Sequence, residues 1–478
     1  MTADVGARER GSSAEETAQR DAGEPIMAIV SIKSQQVTFY DADGWIVRAP
    51  VSTGTKGRET PAGVFAILQK NIDHRSNLYD DAHMPHMQRI TWNGIALHGG
   101  PLPGYAASHG CVRMPYGFAD RMFGTTRIGM RVIISPDDAT PVEISHAALL
   151  VPNAEAVAAA PQRAETLVRD AAEAAKAIDE TKKLTKTTAR EAASATASLR
   201  KLERQKSAAD GDLANAEKAI ASAKTDEARA RAEERKLKAA TKATEVAPKL
   251  DAAKADATAK TDAAAKAAEA AKAAVTRKTE TAKAADEAKL ALVPVSVYIS
   301  RATQKLYVRR NTGKAWPDGG EVFDATTEVP VTIRDPERPI GTHVFTAMAP
   351  GDAGLRWSAT TIDNGDDAKN ALDRVSIPKD VLDRIAPTAL PRSSIIVSDE
   401  PLSRETNYRT EFVAVLSNQP QGGFKTRKPT PPVSPWGAFP ASGNTWQPGF
   451  FNFWDQPGQK PQPSKKARRG PQGKPFFW

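Results

Sequence analysis

The sequence predicts an α+β chain of several domains: two β-rich units, a long Ala/Lys/Glu-rich helical insert between them, and a disordered C-terminal tail. Three observations carry this. Short runs of β-branched and aromatic residues, punctuated by turn signals, occupy two separate stretches, 27–136 and 295–418. The stretch 161–290 is dominated by Ala, Lys, Glu, Arg and Thr with opposite charges interspersed. From 419 onward Pro, Gly, Gln and Lys displace the residues that a core needs.

The segment 1–26 is polar and expected to be disordered. It lacks a basic-then-apolar leader, which taken literally means a cytoplasmic chain. A start at Met27, where the first strand begins, is the alternative. No apolar run is long enough to span a membrane. Apolar and polar residues partly alternate over 28–40, Asp43-Gly44 signals a hairpin, and 45–52 reads as the returning strand. A turn at Thr60-Pro61-Ala62-Gly63 precedes a strand at 64–68. Short strands at 95–97 and 131–134, and a short helix at 116–123, complete the first unit. Residues 137–160 read as a linker.

In 161–290, Gly211 and Pro248 are the expected breaks, giving helices at 162–209, 212–246 and 249–290. The first would be about 70 Å long at 1.5 Å per residue. Alanine at most apolar positions buries little surface. The expectation is a thin coiled-coil-like spacer or helical hairpin that carries no site.

The region 295–418 reads as a diverged copy of the first unit. Val30-Ser31-Ile32 and Gln36-Val37-Thr38-Phe39 resemble Val297-Tyr298-Ile299 and Gln304-Lys305-Leu306-Tyr307. Pro61-Ala62-Gly63-Val64-Phe65 resembles Pro339-Ile340-Gly341 followed by Val344-Phe345. Arg131-Val132-Ile133-Ile134-Ser135 resembles the stretch from Phe412 to Ser417.

The formal net charge is +9. The stretch 419–478 holds nine Lys/Arg and one acid, Asp455, so it carries +8 of that excess. The rest of the chain is nearly neutral. This argues against a nucleic-acid-binding core and for a basic, aromatic arm that meets an anionic surface.

The chemistry concentrates in the run from His98 to Met114, which holds the only cysteine, Cys111, and two of the seven histidines. A thiol is a useful nucleophile as the thiolate, and a nearby imidazole supplies that. Gly110 leaves room for a carbonyl to approach, and backbone N–H groups there can face a developing oxyanion. Arg113 can hold a substrate carboxylate by a bidentate pair. A zinc site of two His and one Cys lacks a fourth ligand at a familiar spacing. A buried structural cysteine leaves Ser108-His109-Gly110-Cys111 and its flanking glycines unexplained.

Ser108-His109-Gly110-Cys111-Val112-Arg113-Met114 resembles the signature of the L,D-transpeptidase catalytic domain, also called YkuD-like. Leu97-His98-Gly99 is similar to the family's histidine segment, and Ser52-Thr53-Gly54 and Thr60-Pro61-Ala62-Gly63 to its two earlier motifs. The resemblance implies Cys111 as acylated nucleophile and His98 as general base, with the Gly99 carbonyl fixing its tautomer. It implies that His109 supports the site, that Ser108 belongs to it, and that the N–H groups of Gly110 and Cys111 contribute to an oxyanion hole. Arg113 takes a substrate carboxylate. The interval from His98 to Ser108 is shorter than is usual in the family, which puts the covering loop and the acceptor specificity in question.

The resemblance implies no metal or organic cofactor. It implies peptidoglycan stem peptides as partners, with an anionic envelope surface or an envelope protein met by the tail, a periplasmic or cell-envelope location, and a part in cell-wall organisation and cell shape. Alternative functions are a carboxypeptidase or amidase-type hydrolase of the same peptides, or a structural peptidoglycan-binding protein. In the second copy, Ile395-Ile396-Val397 is expected at the place of the His98 strand. Residues 402–408 then take the place of the cysteine motif and carry no thiol. That copy is expected to be degenerate and non-catalytic.

Overall fold

The computed structural model describes residues 15–76, 82–324, 326–352, 354–404 and 406–419. Nearly all of the expected basic tail lies outside the described residues.

The first unit contains β1 (Glu16–Thr17), β2 (Met27–Ser31), β3 (Gln36–Asp41), β4 (Gly44–Pro50), β5 (Gly63–Ala66), β6 (Gln69–Arg75), β7 (His83–Arg89), β8 (Ala96–Gly99), β9 (Val112–Met114), α1 (Tyr116–Thr125) and β10 (Arg131–Ser135). The main sheet runs β1-β4-β3-β2-β10-β5, and β6-β7-β8-β9 form a second, smaller sheet. Alternation along β2 sorts its side chains into two cores. Ala28 and Val30 join Val132, Phe65 and Phe118 on one face, while Met27 and Ile29 join Ile133 and Val64 on the other. A strand buried on both faces reads as a nearly continuous apolar run, which is why the alternation in the sequence is only partial.

The polar N-terminal segment is ordered from residue 15, a correction to the expected disorder. Glu16 and Thr17 pair with Arg48 and Val47 of β4. Arg20 donates to the Asp41 carboxylate at 2.8 Å, and the Gly23 N–H donates to it at 2.7 Å. Asp41 is nearly fully buried, so these donors satisfy a group whose burial would otherwise be unfavourable.

After β10 the chain forms β11 (Val142–Ile144), then α2 (Ala154–Ser222) and α3 (Asp226–Leu290). There are two helices here, not three. At about 1.5 Å per residue each is roughly 100 Å long. Asn153 caps α2 by accepting from Ala156 N–H at 2.9 Å, and Thr225 caps α3 by accepting from Ala228 N–H at 3.2 Å. The break falls between these ends, around Lys224, and Gly211 and Pro248 lie inside helices. Glycine in a helix costs only about 1 kcal/mol and proline about 3. The buried series Ala209, Ala216, Ala232, Ala239, Val246 and Ala257 continues through both positions, so packing between the helices offsets those penalties.

The pair is antiparallel: Thr185 donates to the Ala267 carbonyl at 3.1 Å, Lys260 pairs with Glu191 at 3.0 Å, and Lys236 with Glu217 at 3.1 Å. Its base is fixed by Arg310, whose guanidinium donates to the carbonyls of Leu290 and Val293, just beyond the end of α3, at 2.9 and 2.8 Å. A cation there also complements the helix dipole. No helix among the described residues is long and apolar enough to cross a membrane.

The second unit contains β12 (Val295–Ser300), β13 (Lys305–Ala315), β14 (Glu321–Phe323), β15 (Thr327–Pro330), β16 (Thr332–Ile333), β17 (His343–Gly351), β18 (Gly354–Thr361), α4 (Ala368–Arg374), β19 (Val375–Ser376), α5 (Lys379–Ile385), β20 (Ser394–Ser398) and β21 (Ala414–Val415). The strand order β15-β13-β12-β20-β17 matches β4-β3-β2-β10-β5, with β2/β10 and β12/β20 as the parallel neighbours.

One turn is reproduced in detail. Gln35 and Gln304 both have φ near +52°. Gln35 Nε2 donates to the Ile32 carbonyl and its Oε1 accepts from Thr53 N–H. Gln304 Nε2 donates to the Arg301 carbonyl and its Oε1 accepts from Ile333 N–H.

This correspondence corrects two expectations. The counterpart of 131–135 is β20, because Ile32 N–H bonds Ser135 O just as Arg301 N–H bonds Ser398 O. Ile395-Ile396-Val397 therefore matches Val132-Ile133-Ile134, not the His98 strand. Between β17 and β20 lie β18, α4, β19 and α5, where the first unit has the β6–β9 sheet. The stretch from Phe412 to Ser417 instead contributes β21, which adds to the first sheet, Ala414 lying opposite Val64. Reciprocally β11, from the expected linker, adds to the second sheet, Glu143 opposite Ser358. The two sheets share one apolar layer in which Met27, Ile29 and Ile133 meet Tyr298, Ile396 and Phe412.

Candidate active site

β8 and β9 are parallel neighbours, with Leu97 opposite Val112 and His98 opposite Arg113. Leu97, Val112 and Met114 enter the core. Strand alternation therefore puts Ala96, His98, Cys111 and Arg113 together on the other face. β7 adds Arg89, opposite Ala96, to the same face. Cys111 is partly exposed, and it packs against Met84, Met87 and Ala96.

The strand ends are held by the earlier turns. Ser52 exchanges two backbone hydrogen bonds with Arg113, at 2.9 and 3.0 Å, and Ser108 N–H donates to Thr53 O at 3.0 Å. Thr60 Oγ1 bridges the motifs: it accepts from Gly54 N–H and donates to Gly110 O, both at 2.8 Å. A Cβ on Gly54 would fall 2.1 Å from the Arg58 carbonyl, so only glycine fits between these backbones. Ser52 Oγ donates to Tyr105 O at 2.7 Å and accepts from Ala107 N–H at 3.1 Å, which ties down the short 100–107 loop.

His98 is buried, and its Nδ1 lies 2.9 Å from the Gly99 carbonyl. A carbonyl only accepts, so Nδ1 carries the proton and Nε2 is the free base. Burial holds this imidazole down to about 4, with the Gly99 bond opposing the shift and the Arg113 charge adding to it. Burial pushes the Cys111 thiol up, while the Ala96 N–H and the Arg89 and Arg113 charges pull it down. The thiol donates to the Gly94 carbonyl at 3.6 Å.

Of the other expected residues, Gly99 sits where a Cβ would crowd Tyr116, Pro85 and Ala119. Ser108 is buried, and its hydroxyl bonds the Cys111 carbonyl. Gly110 N–H donates to Ser108 Oγ at 3.1 Å, within the turn. His109 is exposed on that turn. Arg113 is half-buried and forms no ion pair among the described residues. No three His, Cys, Asp or Glu side chains among the described residues are arranged to hold a metal ion.

Residues 25–134 match the family model YkuD, the L,D-transpeptidase catalytic domain. This segment is an L,D-transpeptidase catalytic domain. The solved L,D-transpeptidases it resembles include one from Mycobacterium smegmatis at 23% identity, covering 23% of this chain and 59% of that one, with a TM-score of 0.22. Another, from Stackebrandtia nassauensis, is 22% identical over 25% of this chain and 58% of that one, with a TM-score of 0.23. A third, from Mycobacterium tuberculosis, is 20% identical over 23% and 58%, with a TM-score of 0.22. The chain thus spans under two thirds of the length of these structures. Comparison with curated proteins gives no match.

The transpeptidase domain also uses residues that sequence reasoning missed. Arg89, Met84 and Met87 reach the site face through the register of β7, which has a positive-φ residue at His86. Trp92 is buried beside Gly94, and its indole N–H donates to Tyr408 O of the second unit at 2.6 Å. A Trp-Asn-Gly turn ahead of the histidine strand was the available signal.

Proposed function

We propose that this chain is a peptidoglycan L,D-transpeptidase acting through a Cys111 acyl-enzyme. The observation that carries the reading is the shared face of His98, Cys111 and Arg113 on adjacent strands of the transpeptidase domain. Rotation about the Cys111 Cα–Cβ bond would turn the sulfur from Gly94 toward His98. The thiol proton then passes to Nε2 of the neutral imidazole while sulfur bonds the carbonyl of the third stem-peptide residue. The Cys111 N–H is the donor offered to the oxyanion, and Arg113 takes a substrate carboxylate. Collapse breaks the peptide bond, and the imidazolium returns its proton to the departing D-alanine amine. An acceptor amine next attacks the thioester, giving up a proton to His98; the carbon–sulfur bond breaks and the thiol is restored.

The second unit fits a non-catalytic copy of the same domain. Its matching strand order and the Gln35/Gln304 turn support that, and the segment that would hold a site is replaced. The helical pair serves as a coiled-coil-like spacer. Peptidoglycan as substrate puts the enzyme in the periplasm or envelope, with the basic tail holding it near an anionic surface.

The test is mass spectrometry of the full-length protein incubated with a carbapenem and, separately, with muropeptides. The expected result is one adduct on Cys111 and a cross-linked product, both lost in Cys111→Ala. Stem peptides trimmed by water with no cross-link would make the protein a carboxypeptidase. Turnover persisting in Cys111→Ala would remove the mechanism.

A further inference from the structure

The second unit has a cleft of about 690 Å³ whose wall includes Tyr408, the residue that binds Trp92 of the transpeptidase domain. Its volume lies in the usual range for small-ligand sites, about 300–1,000 Å³. Trp316 stands on one wall with 41% of its surface exposed. The Arg409 guanidinium lies over the indole, 3.7 Å from its centroid, and is itself pinned by Asp318 at 2.7 Å. The backbone closes behind it: Trp316 N–H bonds Gly320 O, and Gly319 N–H bonds Trp316 O. The ring is held in place with Arg409 over it and 41% of the residue still exposed, which leaves a pre-formed stacking surface.

The charges around the cleft are unequal in how they are used. Glu328 pairs with Lys305, Asp324 accepts the Arg310 N–H, and Glu321 accepts from Asn311. The cleft's acids are engaged. Arg309 is nine-tenths buried, with no carboxylate partner among the described residues and no partner for its Nε. Its Nη1 donates to the Asn407 and Thr410 carbonyls, and its Nη2 to Asn407 Oδ1. Burial lowers its pKa to about 10, which leaves it charged at neutral pH. Arg404, exposed at the rim, also has no carboxylate partner among the described residues. The Glu411 and Asp324 charges and the Phe412 ring, 3.9 Å away, offset part of the burial of Arg309, but neither carboxylate bonds it and its buried Nε–H lacks a partner among the described residues, so an approaching anion would be favoured. The wall therefore asks for a flat ring to lie on Trp316 and an anionic group directed to Arg309 and Arg404.

We infer that this cleft binds the glycan of the polymer whose stem peptides Cys111 acylates: an N-acetylhexosamine chain carrying carboxylates, stacked on Trp316 with a carboxylate against Arg309 and Arg404. The choice of polymer rests on the transpeptidase reading. A sugar ring presents a C–H face to an indole and hydroxyls to the polar rim, and the lactyl carboxylate of a muramic acid that carries no stem peptide supplies the anion. Through Tyr408 the cleft adjoins the turn at Trp92, so a strand held here by such a sugar would bring the stem peptides on its neighbouring muramic acids near Cys111.

The test is calorimetric titration of the full-length protein with peptide-free glycan strands of alternating N-acetylglucosamine and N-acetylmuramic acid. Wild type should bind, and the neutral N-acetylglucosamine tetramer should bind more weakly. Trp316→Ala and Arg404→Ala should each weaken binding roughly tenfold, as anchor residues commonly do. Arg404 is exposed and its side chain makes no hydrogen bond or ion pair among the described residues, so its variant reports on binding and not on folding. Carbapenem acylation of Cys111 should be unchanged in both variants, which checks that the catalytic domain is intact. No binding by wild type, equal binding by the two variants, or equal binding of the neutral tetramer or of a single-stranded oligonucleotide overturns the proposal. Glycan binding without any Cys111 adduct would sink the transpeptidase reading and not the site; an adduct without glycan binding would do the reverse.

Discussion

The indole N–H of Trp92 donates to the carbonyl of Tyr408 across the junction of the two β units, at 2.6 Å. Two residues further on, Gly94 accepts the Cys111 thiol. The second unit thereby holds the turn that holds the Cys111 thiol. Trp92→Phe keeps an aromatic side chain of smaller volume and removes the donor, leaving a carbonyl without its partner. Unfolding in urea should show a loss of about 1–3 kcal/mol. Carbapenem acylation should slow as the turn loosens. Loss of stability with unchanged acylation would show that the turn does not position the thiol.

His98 gives a pH prediction with a definite sign. Its imidazole is held at about 4 by burial, below the ordinary 6.5. Between those values the unfolded chain binds more protons than the folded one, so this group's contribution to stability is complete above 6.5 and fades as pH falls toward 4. His98→Gln should flatten that part of the stability curve. The free base also persists to about pH 4, so wild-type acylation should hold its rate from pH 7 to 5. An acid limb centred near 6.5 would mean that the imidazole is not buried as described, or is not the base.

The candidate site was legible because most of it is local. Ser108 to Met114 is one contiguous run, and β8 and β10 differ from the expected positions by a residue or two, whereas the short strand β9 was not expected. Partners set by pairing were not legible. Arg89 shares the site face only because β7 pairs with β8 in one register, and a slip of one residue would turn it away. The residues from Phe412 to Ser417 look like a closing strand of their own unit, yet they close the other one. An edge strand's alternation specifies a buried face but not which of two exposed edges it joins. Helix ends were misplaced because Gly211 and Pro248 carry local penalties smaller than the packing that continues past them.

Thr60→Val tests the bridge between motifs. The hydroxyl is buried and serves both Gly54 N–H and Gly110 O. Valine has the same shape and neither bond, so two backbone groups are left unpaired at about 1–3 kcal/mol each. Gly110 adjoins Cys111, so acylation should fall along with the melting temperature. Wild-type acylation in a destabilised variant would separate the bridge from the thiol's position.

Pro248→Ala should stabilise the helical pair. Proline there lacks the N–H for one bond of α3 and has about 3 kcal/mol less helix propensity than alanine. The helical signal in circular dichroism should melt at a higher temperature, with acylation of Cys111 unchanged. An unchanged melt would mean that the helices already bend to relieve the proline.

Phe412 tests whether the two β units fold as one. It is fully buried in the layer between the sheets, with its ring centroid 5.8 Å from that of Tyr298 and the Arg309 guanidinium 3.9 Å above it. Its carbonyl accepts from Arg131 of β10 at 2.8 Å, and the neighbouring Glu411 pairs with the same guanidinium at 3.1 Å. Two residues later the chain joins β5. Phe412→Ala removes a ring from a shared core, and substitutions of this kind cost about 3–5 kcal/mol. If the shared layer makes the units cooperative, both should lose stability together: near-ultraviolet dichroism and protection of the β2 and β12 amides from hydrogen exchange should fall in one transition. Loss confined to the β12 sheet, with β2 protection and Cys111 acylation at wild-type levels, would show that the catalytic domain stands without its neighbour.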